Sequence, residues 1–270
     1  MAQDKQKLIM KLGDFFIVFD NPQIIGILNI TPDSFYDGGM YRNETEIIAK
    51  CVQMTDEGAQ IIDIGAMSSR PDAVLISEKE EINRLIPILR FLKKQFPDLL
   101  ISVDTFRVSV ALAAIDEGAV IINDISGGRW EPGIFEICAK NEVGYILMHS
   151  RNSFEKMHEK QDYLDVTKEI ISDLKIQVEK ARKKGIHNLF IDPGFGFSKN
   201  TEQNFELLHH LSSLHALEAP IIAGISRKSM IWKTLNSSPE KALNGTTALN
   251  MVALLNDVQF LRVHDVKEAQ

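Results

Sequence analysis

Residues 24–35 read IIGILNITPDSF, and the reading of this stretch decides the fold. An apolar run with the character of a buried strand ends on one polar side chain, Asn29. It then passes through Pro32 into an acidic, glycine-containing loop from Asp33 to Gly39. A strand covered on both faces that delivers an amide to its carboxyl end and opens into a loop is how an α/β enzyme begins an active site. Later strands should then bring polar side chains to the same place.

The pattern repeats outward from there. Upstream, the apolar runs 8–12 and 15–19 are joined by Gly13-Asp14, which predicts a β-hairpin within residues 1–20. Downstream, strand-like runs rich in Ile, Leu and Val follow at 61–65, 99–104, 120–125, 144–149, 189–192, 220–226 and 260–264, making eight with the first. They mostly do not alternate polar with apolar, as suits a sheet covered on both faces. Helical patterns lie between them. Residues 43–57 end at Gly58, Ser77-x-x-Glu80 forms a capping box ahead of Ile82, Leu85, Ile86 and Leu89, and 108–117 precede Gly118. A short segment follows Pro132, the longest runs over 163–184 to Gly185, Thr201 caps another, and 239–256 hold a Gly245 that marks a break.

Strict alternation of strand and helix predicts parallel β/α units. Eight units in 270 residues predict a (β/α)8 TIM barrel in a single domain, 1–270. A doubly wound sheet would carry a G-x-G-x-x-G turn after its first strand, where this chain has ITPDSF. The eighth strand ends near Asp265, so the eighth helix is expected to be truncated or missing, leaving apolar wall exposed or covered by a partner.

Composition narrows the function classes. Apolar content of 44% and charged content of 25% are ordinary for a globular protein, and the net charge of −7 argues against a nucleic-acid or anionic-membrane partner. A local basic pocket for a small anion is still allowed. Cys51 and Cys138 lie inside apolar helical patterns and read as inert core thiols. No apolar run approaches the ~18 residues of a membrane span, and the charged amino terminus lacks a signal-peptide core, so a cytoplasmic location is expected. The Asn-x-Ser/Thr matches at Asn29, Asn236 and Asn244 then read as chance.

In a barrel, the carboxyl ends of all strands face one pocket. Here they deliver Asn29, Asp104, Asn123, His149, Asp192, Ser226 with Arg227 and Lys228, then Arg262 and His264. The second strand instead runs into AMSSRPDA, bearing Ser68, Ser69 and Arg70. Any one of these is equally well a cap or turn residue; their convergence is the signal. Asp104, Asn123 and Asp192 offer acceptors and amide groups for a flat heterocycle. Arg70, Arg262 and His264 are cations where barrels commonly hold phosphate. SRKSM resembles a helix start whose N–H groups, with Lys228, suit a carboxylate. Asn29 is a neutral oxygen ligand, adequate for Mg²⁺ that takes its other oxygens from substrate phosphates and water. The expected substrates are an aromatic heterocycle, a polyphosphate and a small anion. Adjacent His209 and His210 do not share a helix face and are not a metal pair, and His158 and Met157 are expected in solvent. Trp130 and Trp232 line the rim or pack. Lys228 as the Schiff-base lysine of an aldolase finds no support elsewhere in the chain.

Seven segments, GILNITPDSF, GAMSSRP, ISVDTFR, INDISGG, DPGFGF, GISRKSM and LRVHDV, run in order from residue 26 to 266. Together they resemble the dihydropteroate synthases, the pterin-binding (β/α)8 transferases of folate synthesis and the target of sulfonamides. The resemblance implies condensation of 6-hydroxymethyl-7,8-dihydropterin pyrophosphate with para-aminobenzoate, giving 7,8-dihydropteroate and pyrophosphate. It implies that Asp104, Asn123, Asp192 and Lys228 bind the pterin with Met148 packing nearby. Asn29 with Mg²⁺, Ser69, Arg70, Arg262 and His264 would hold the pyrophosphate. Phe35, Ser69, Pro71, Phe197, Lys228 and Ser229 would shape the para-aminobenzoate site, and Asp33 would order the first loop against Arg70 of the second. The implied chemistry is dissociative, with Asp104, Asp192, Lys228, Arg262 and His264 as its catalytic groups and the two loops excluding water. No Ser-His-Asp arrangement or nucleophilic cysteine is evident.

The chain departs from the family pattern in the second loop. Met67 stands where an acid is usual, Ser69 where Thr is usual and Asp72 where glycine is usual, and the fifth strand continues MHSRNSFEKM. A homodimer is implied, less strongly where the eighth helix is short. Two alternatives share the fold. A methyltetrahydrofolate-type methyltransferase needs neither the pyrophosphate groups nor TPDSF and SRKS, and a catalytically silent pterin-binding paralogue would keep the pocket without turnover.

Overall fold

The computed structural model of the chain describes residues 8–13, 15–30, 40–67 and 74–270. Its centre is a sheet of eight parallel strands: β3 (Gln23–Asn29), β4 (Ile61–Gly65), β5 (Leu100–Asp104), β6 (Ile121–Asp124), β7 (Gly144–Met148), β8 (Leu189–Asp192), β9 (Ile222–Ala223) and β10 (Phe260–Val263). Neighbours run β8-β7-β6-β5-β4-β3-β10-β9, and a parallel bridge between Ile191 and Ile221 joins the two ends, so the sheet rolls into the expected (β/α)8 barrel. The seventh barrel strand is shorter than the 220–226 read from sequence. Its neighbours bond its start, with Ile191 N donating to Pro220 O and Phe260 N to Ile221 O, and the ladder ends at Ala223.

Both faces of the strands are buried for different reasons. On β4, Ile62 and Ile64 join the large core shared with the helices, while Ile61 joins a second cluster with Ile25, Ile121, Ile146, Phe190, Ile222 and Phe260. That second cluster is the barrel interior at its amino end. Strand side chains alternate, so Asp63 must face inward with Ile61. An apolar run broken by one inward acid is how this strand reads in the sequence.

The predicted hairpin forms from β1 (Leu8–Leu12) and β2 (Phe15–Phe19), paired antiparallel. It plugs the barrel. Met10 and Leu12 are buried in the interior cluster, and a Cβ on Gly144 would lie 2.9 Å from Leu12 Cδ2 and 3.0 Å from Phe190. Asn188 Nδ2 donates to Lys11 O, and Gly13 N to Glu142 O, anchoring the hairpin to the barrel loops.

The helices are α1 (Met40–Asp56), α2 (Glu78–Gln95), α3 (Val108–Asp116), α4 (Ile134–Lys140), α5 (Val166–Lys183), α6 (Thr201–His209), α7 (Ser229–Thr234), α8 (Leu243–Leu255) and α9 (Val266–Ala269). Four boundaries differ from the sequence reading. α1 begins earlier, at Met40. α5 begins three residues late: Asp165 is its N-cap, accepting from Lys168 N, and Leu164 stands in solvent rather than on the buried face. α6 is capped by Asn200, in a capping box with Gln203, leaving Thr201 as the first helical residue. Residues 239–256 split into a 3-10 turn at Pro239–Lys241 and α8, and Gly245 lies inside α8. It is glycine because a Cβ there would collide with Ile231 of α7. The last helix, α9, buries Val266 against the core. Both cysteines are buried, and desolvation pushes their thiols up, Cys51 to about 11.

Removing the plug should cost stability. Leu12→Ala is expected to lose roughly 2–5 kcal/mol in urea unfolding, as buried leucines do. A loss within experimental error would mean that the hairpin does not close the barrel.

Candidate active site

At the carboxyl end the interior turns polar. Arg262 of β10 is the hub: its Nε donates to Asp63 Oδ2 at 2.7 Å and its Nη2 contacts Asp104 Oδ2 at 3.3 Å. Asn123 Nδ2 of β6 donates to the same Asp63 oxygen at 2.9 Å. Asp104 pairs in register with Asn123, and Met148 with Asp192, so four strands bring their last inward residues to one mouth. Desolvation, then the like charge of Asp63, pushes the Asp104 carboxyl up to about 7 against the pull of Arg262.

Asn29 ends β3 beside Gly65, whose missing side chain leaves room for both the amide and its neighbour: a Cβ there would lie 3.7 Å from Asn29 Oδ1 and 3.8 Å from Asp104 Oδ2. On the far side, Asp192 is buried, its Oδ1 accepting from Gly194 N at 2.7 Å. Gly194 has φ +69, and a Cβ there would strike His149 O, so the sharp turn after the carboxylate needs glycine. Lys228 is the N-cap residue of α7, placed by an Arg227 in the left-handed region at φ 56. Its Nζ donates to Phe195 O and sits 4.7 Å from the Phe197 ring centroid. Desolvation, with Arg262 in support, pulls its ammonium down to about 8, while Asp192 and Asp104 oppose the shift. Ser229 follows as the first residue of α7.

An apolar wall completes the mouth. Met67, Phe106, Ile125, Met148, Phe154, Met157 and Phe197 form a buried cluster with Trp130 packed on it. Met157 is therefore core rather than solvated, and the His158 ring stacks on Phe197 at 5.1 Å. The 3-10 turn at Phe154–Lys156 folds this loop back over the strand ends, which its charged sequence concealed. Trp130 packs edge-on against Phe106, and Trp232 packs against the main core. His264 Nδ1 lies 3.1 Å from Ser226 Oγ, setting the imidazole beside the end of the seventh barrel strand.

Two strand-end residues point elsewhere. His149 is fully buried with Nε2 3.2 Å from Asp173 of α5, and burial holds its imidazole neutral, pulled down to about 3. Arg227 forms a paired contact with Asp265. Asp33, Phe35, Ser69, Arg70 and Pro71 lie outside the described residues. Two residues at the site have no counterpart among the strand-end candidates. Asp63 carried a usable signal, being the one charged side chain in the run IIDIG. Lys199 carried none: its buried Nζ donates to Gly194 O at 2.8 Å and Phe197 O at 2.9 Å, tying the DPGFGF loop back on itself.

The donor set bears on a metal. Among the described residues no group of three or more His, Cys, Asp or Glu is placed to hold one. Asn29, a single neutral oxygen beside Asp104, fits an ion that brings most of its ligands with a substrate polyphosphate. It does not fit a resident, protein-caged ion. No helix among the described residues is long and apolar enough to cross a membrane.

Known proteins similar to this chain fall within one family. A profile of the pterin binding enzymes matches residues 25–264. The dihydropteroate synthase of Clostridium beijerinckii is 40% identical over 264 residues, covering 96% of this chain and 95% of its own length. That of Streptococcus pyogenes serotype M3 is 38% identical over 265 residues, covering 97% and 96%. Among solved structures, Xanthomonas albilineans dihydropteroate synthase with 4-aminobenzoic acid superposes with a TM-score of 0.90 at 36% identity, over 98% of this chain and 95% of that one. The same organism's enzyme in complex with 7,8-dihydropteroate gives 0.86 at 35% identity, over 97% and 95%.

Proposed function

We infer the chemistry of the pocket from its kinship: the chain belongs to the pterin binding enzymes and, within them, to the dihydropteroate synthases. It is a transferase that joins the dihydropterin of 6-hydroxymethyl-7,8-dihydropterin pyrophosphate to para-aminobenzoate, releasing pyrophosphate and forming 7,8-dihydropteroate. The observation that carries this reading for the site is the set of acceptors Asp104, Asn123 and Asp192 meeting the cations Lys228 and Arg262 at one barrel mouth, with an apolar wall beside them.

The proposed roles are those that the resemblance to the family implies, and the residue types suit them. Asp104, Asn123 and Asp192 take the N–H edge of the pterin, Lys228 its carbonyl side, and Met148 packs on its face. Arg262 and His264, with Asn29, Ser69 and Arg70, hold the pyrophosphate. Phe197, Ser229 and Lys228, with Phe35, Pro71 and Ser69, bound the arylamine, and Asp33 draws the first loop toward Arg70 of the second. As the C–O bond to pyrophosphate breaks, positive charge grows on the pterin methylene, and the carboxylates of Asp104 and Asp192 stabilise it. Arg262 and His264 stabilise the charge on the departing oxygens. The amine nitrogen forms the new C–N bond and releases a proton to solvent. Asn29 would hold Mg²⁺, which would supply further charge neutralisation to the leaving group. The chain is read as one domain acting in the cytoplasm. A homodimer is the proposed assembly, consistent with the exposed Leu235, Met251 and Leu255 on and beside α8.

Asp192→Ala and Lys228→Ala should each lower kcat/KM by roughly 10²–10³-fold while the protein stays folded, as removal of a group stabilising transition-state charge does. Pyrophosphate release from the two substrates, with and without Mg²⁺, measures this. Near-normal turnover in either variant would overturn the assignments; pterin binding with no release by the wild type would indicate a silent paralogue. The pH profile is a second check. Asp104 is needed as a carboxylate, so kcat/KM should rise with pH through about 7; Lys228 is needed as an ammonium, so it should fall through about 8. The expected curve is a narrow bell, and a flat profile between those limbs would remove one of the two groups.

A further inference from the structure

We propose that Asp63 is the positioning residue that decides which hydrogen-bonding end Asn123 turns toward the pterin and that fixes the plane of Arg262 beside it. The proposal rests on the pterin reading above and deepens it. Asp63 is fully buried inside the barrel, two residues before the end of β4. A single oxygen, Oδ2, accepts from Asn123 Nδ2 at 2.9 Å and from Arg262 Nε at 2.7 Å.

An asparagine amide has a donor end and an acceptor end. Asp63 is ion-paired with Arg262, and a carboxylate only accepts. A flipped Asn123 would set its oxygen against the Asp63 oxygen, two buried acceptors facing each other with no proton between them, which is costly. The flip is thereby closed, and the order of Oδ1 and the remaining N–H across the mouth of β6 is set. That order is what a heterocycle edge reads. Arg262 is constrained from the same point: of the five N–H bonds of a guanidinium, one goes to Asp63 and one to Asp104, so the plane cannot rotate, and the remaining donors keep one direction.

A purely structural role explains the residue poorly. Replacing a buried ion pair with apolar groups of similar volume is often neutral or stabilising, and Asp63 Oδ1 finds no hydrogen-bond partner among the described residues. The adjacent Ser102 Oγ, its register partner on β5, is in the same condition. What an apolar side chain cannot supply at this position is one oxygen that accepts from both Asn123 and Arg262. Its charge also reaches Asp104, which faces Asp63 from β4, Arg262 from β10, Glu81 from α2, Asp124 from β6 and Lys228 from the turn before α7.

The test uses the full chain with Asp63→Asn and Asp63→Leu, thermal melting, and calorimetric titration with 6-hydroxymethylpterin and with its isomer in which the 2-amino and 4-oxo groups are exchanged. In Asp63→Leu both bonds are lost. Affinity for 6-hydroxymethylpterin should fall about 10- to 100-fold, the worth of hydrogen bonds to a charged group, and the preference over the isomer should shrink, with melting at or above the wild-type temperature. In Asp63→Asn the amide oxygen still accepts both bonds. Affinity at pH 8 should then stay within about threefold of wild type, because hydrogen-bond geometry is kept. Wild-type affinity and preference in a folded Asp63→Leu would overturn the proposal. If the leucine variant does not fold, Asp63→Ala, which removes the same two bonds without added bulk, takes its place with the same expected loss and the same overturning result. Wild-type protein that ignores 6-hydroxymethylpterin would sink the pterin reading and this proposal with it, whereas wild-type binding with indifferent variants sinks only the role of Asp63.

Discussion

A guanidinium held between two carboxylates inside the barrel is the interaction on which the site depends. Arg262 lies between Asp63 and Asp104, and the same arrangement orients Asn123 through Asp63. Without the cation, two carboxylates would share a desolvated interior with no opposite charge to offset their burial. With it, the mouth carries several acceptors and a net charge it can sustain. The apolar layer beneath, from Ile25 to Phe260 and closed by Leu12, keeps water from the floor and strengthens every charge above it. The hairpin and the ion network thus belong to one device: one seals the space, the other makes it polar at a single end.

The loop after β8 shows how a flexible-looking segment becomes part of a rigid scaffold. DPGFGF holds two glycines in the positive-φ region, which by themselves would loosen the chain. Asp192 takes the Gly194 N–H, Asn204 takes the Gly196 N–H, and Lys199 binds two of the loop carbonyls. Desolvation pulls the Lys199 ammonium well down, so its place there is maintained by those carbonyls and by Asp192 nearby. Asp192 and Phe197 are thereby set at fixed positions on either side of Lys228. Side chains built on such braced elements keep their geometry without a ligand.

Legibility in the sequence followed the reach of the interactions concerned. Strand count, parallel order and the hairpin were readable because each rests on local periodicity and turn chemistry. Asn29, Asp104, Asn123, Asp192, Lys228 and Arg262 were readable because strand ends in a barrel share a direction. His149 and Arg227 satisfied the same rule and yet turned away, His149 to Asp173 on α5 and Arg227 to Asp265 at the end of the chain. Nothing within a few residues of either records that choice. Met157 read as solvated because charged neighbours surround it, whereas the loop folds its methionine under Phe154 and Phe197.

By itself, then, the sequence determined the architecture and the inventory of the pocket. Alternating runs dictate which faces are buried, and a barrel leaves the last inward residue of a strand one place to go. Tertiary structure decided the electrostatics. Asp63 and Arg262 stand far apart in the chain, and only closure of the sheet sets β10 and β4 on either side of β3 and places one carboxylate oxygen between a guanidinium and an amide. Hydrogen bonds of that kind depend on distances of tenths of an ångström between elements. Local sequence preferences carry no record of such distances, so they exist only once the barrel has closed.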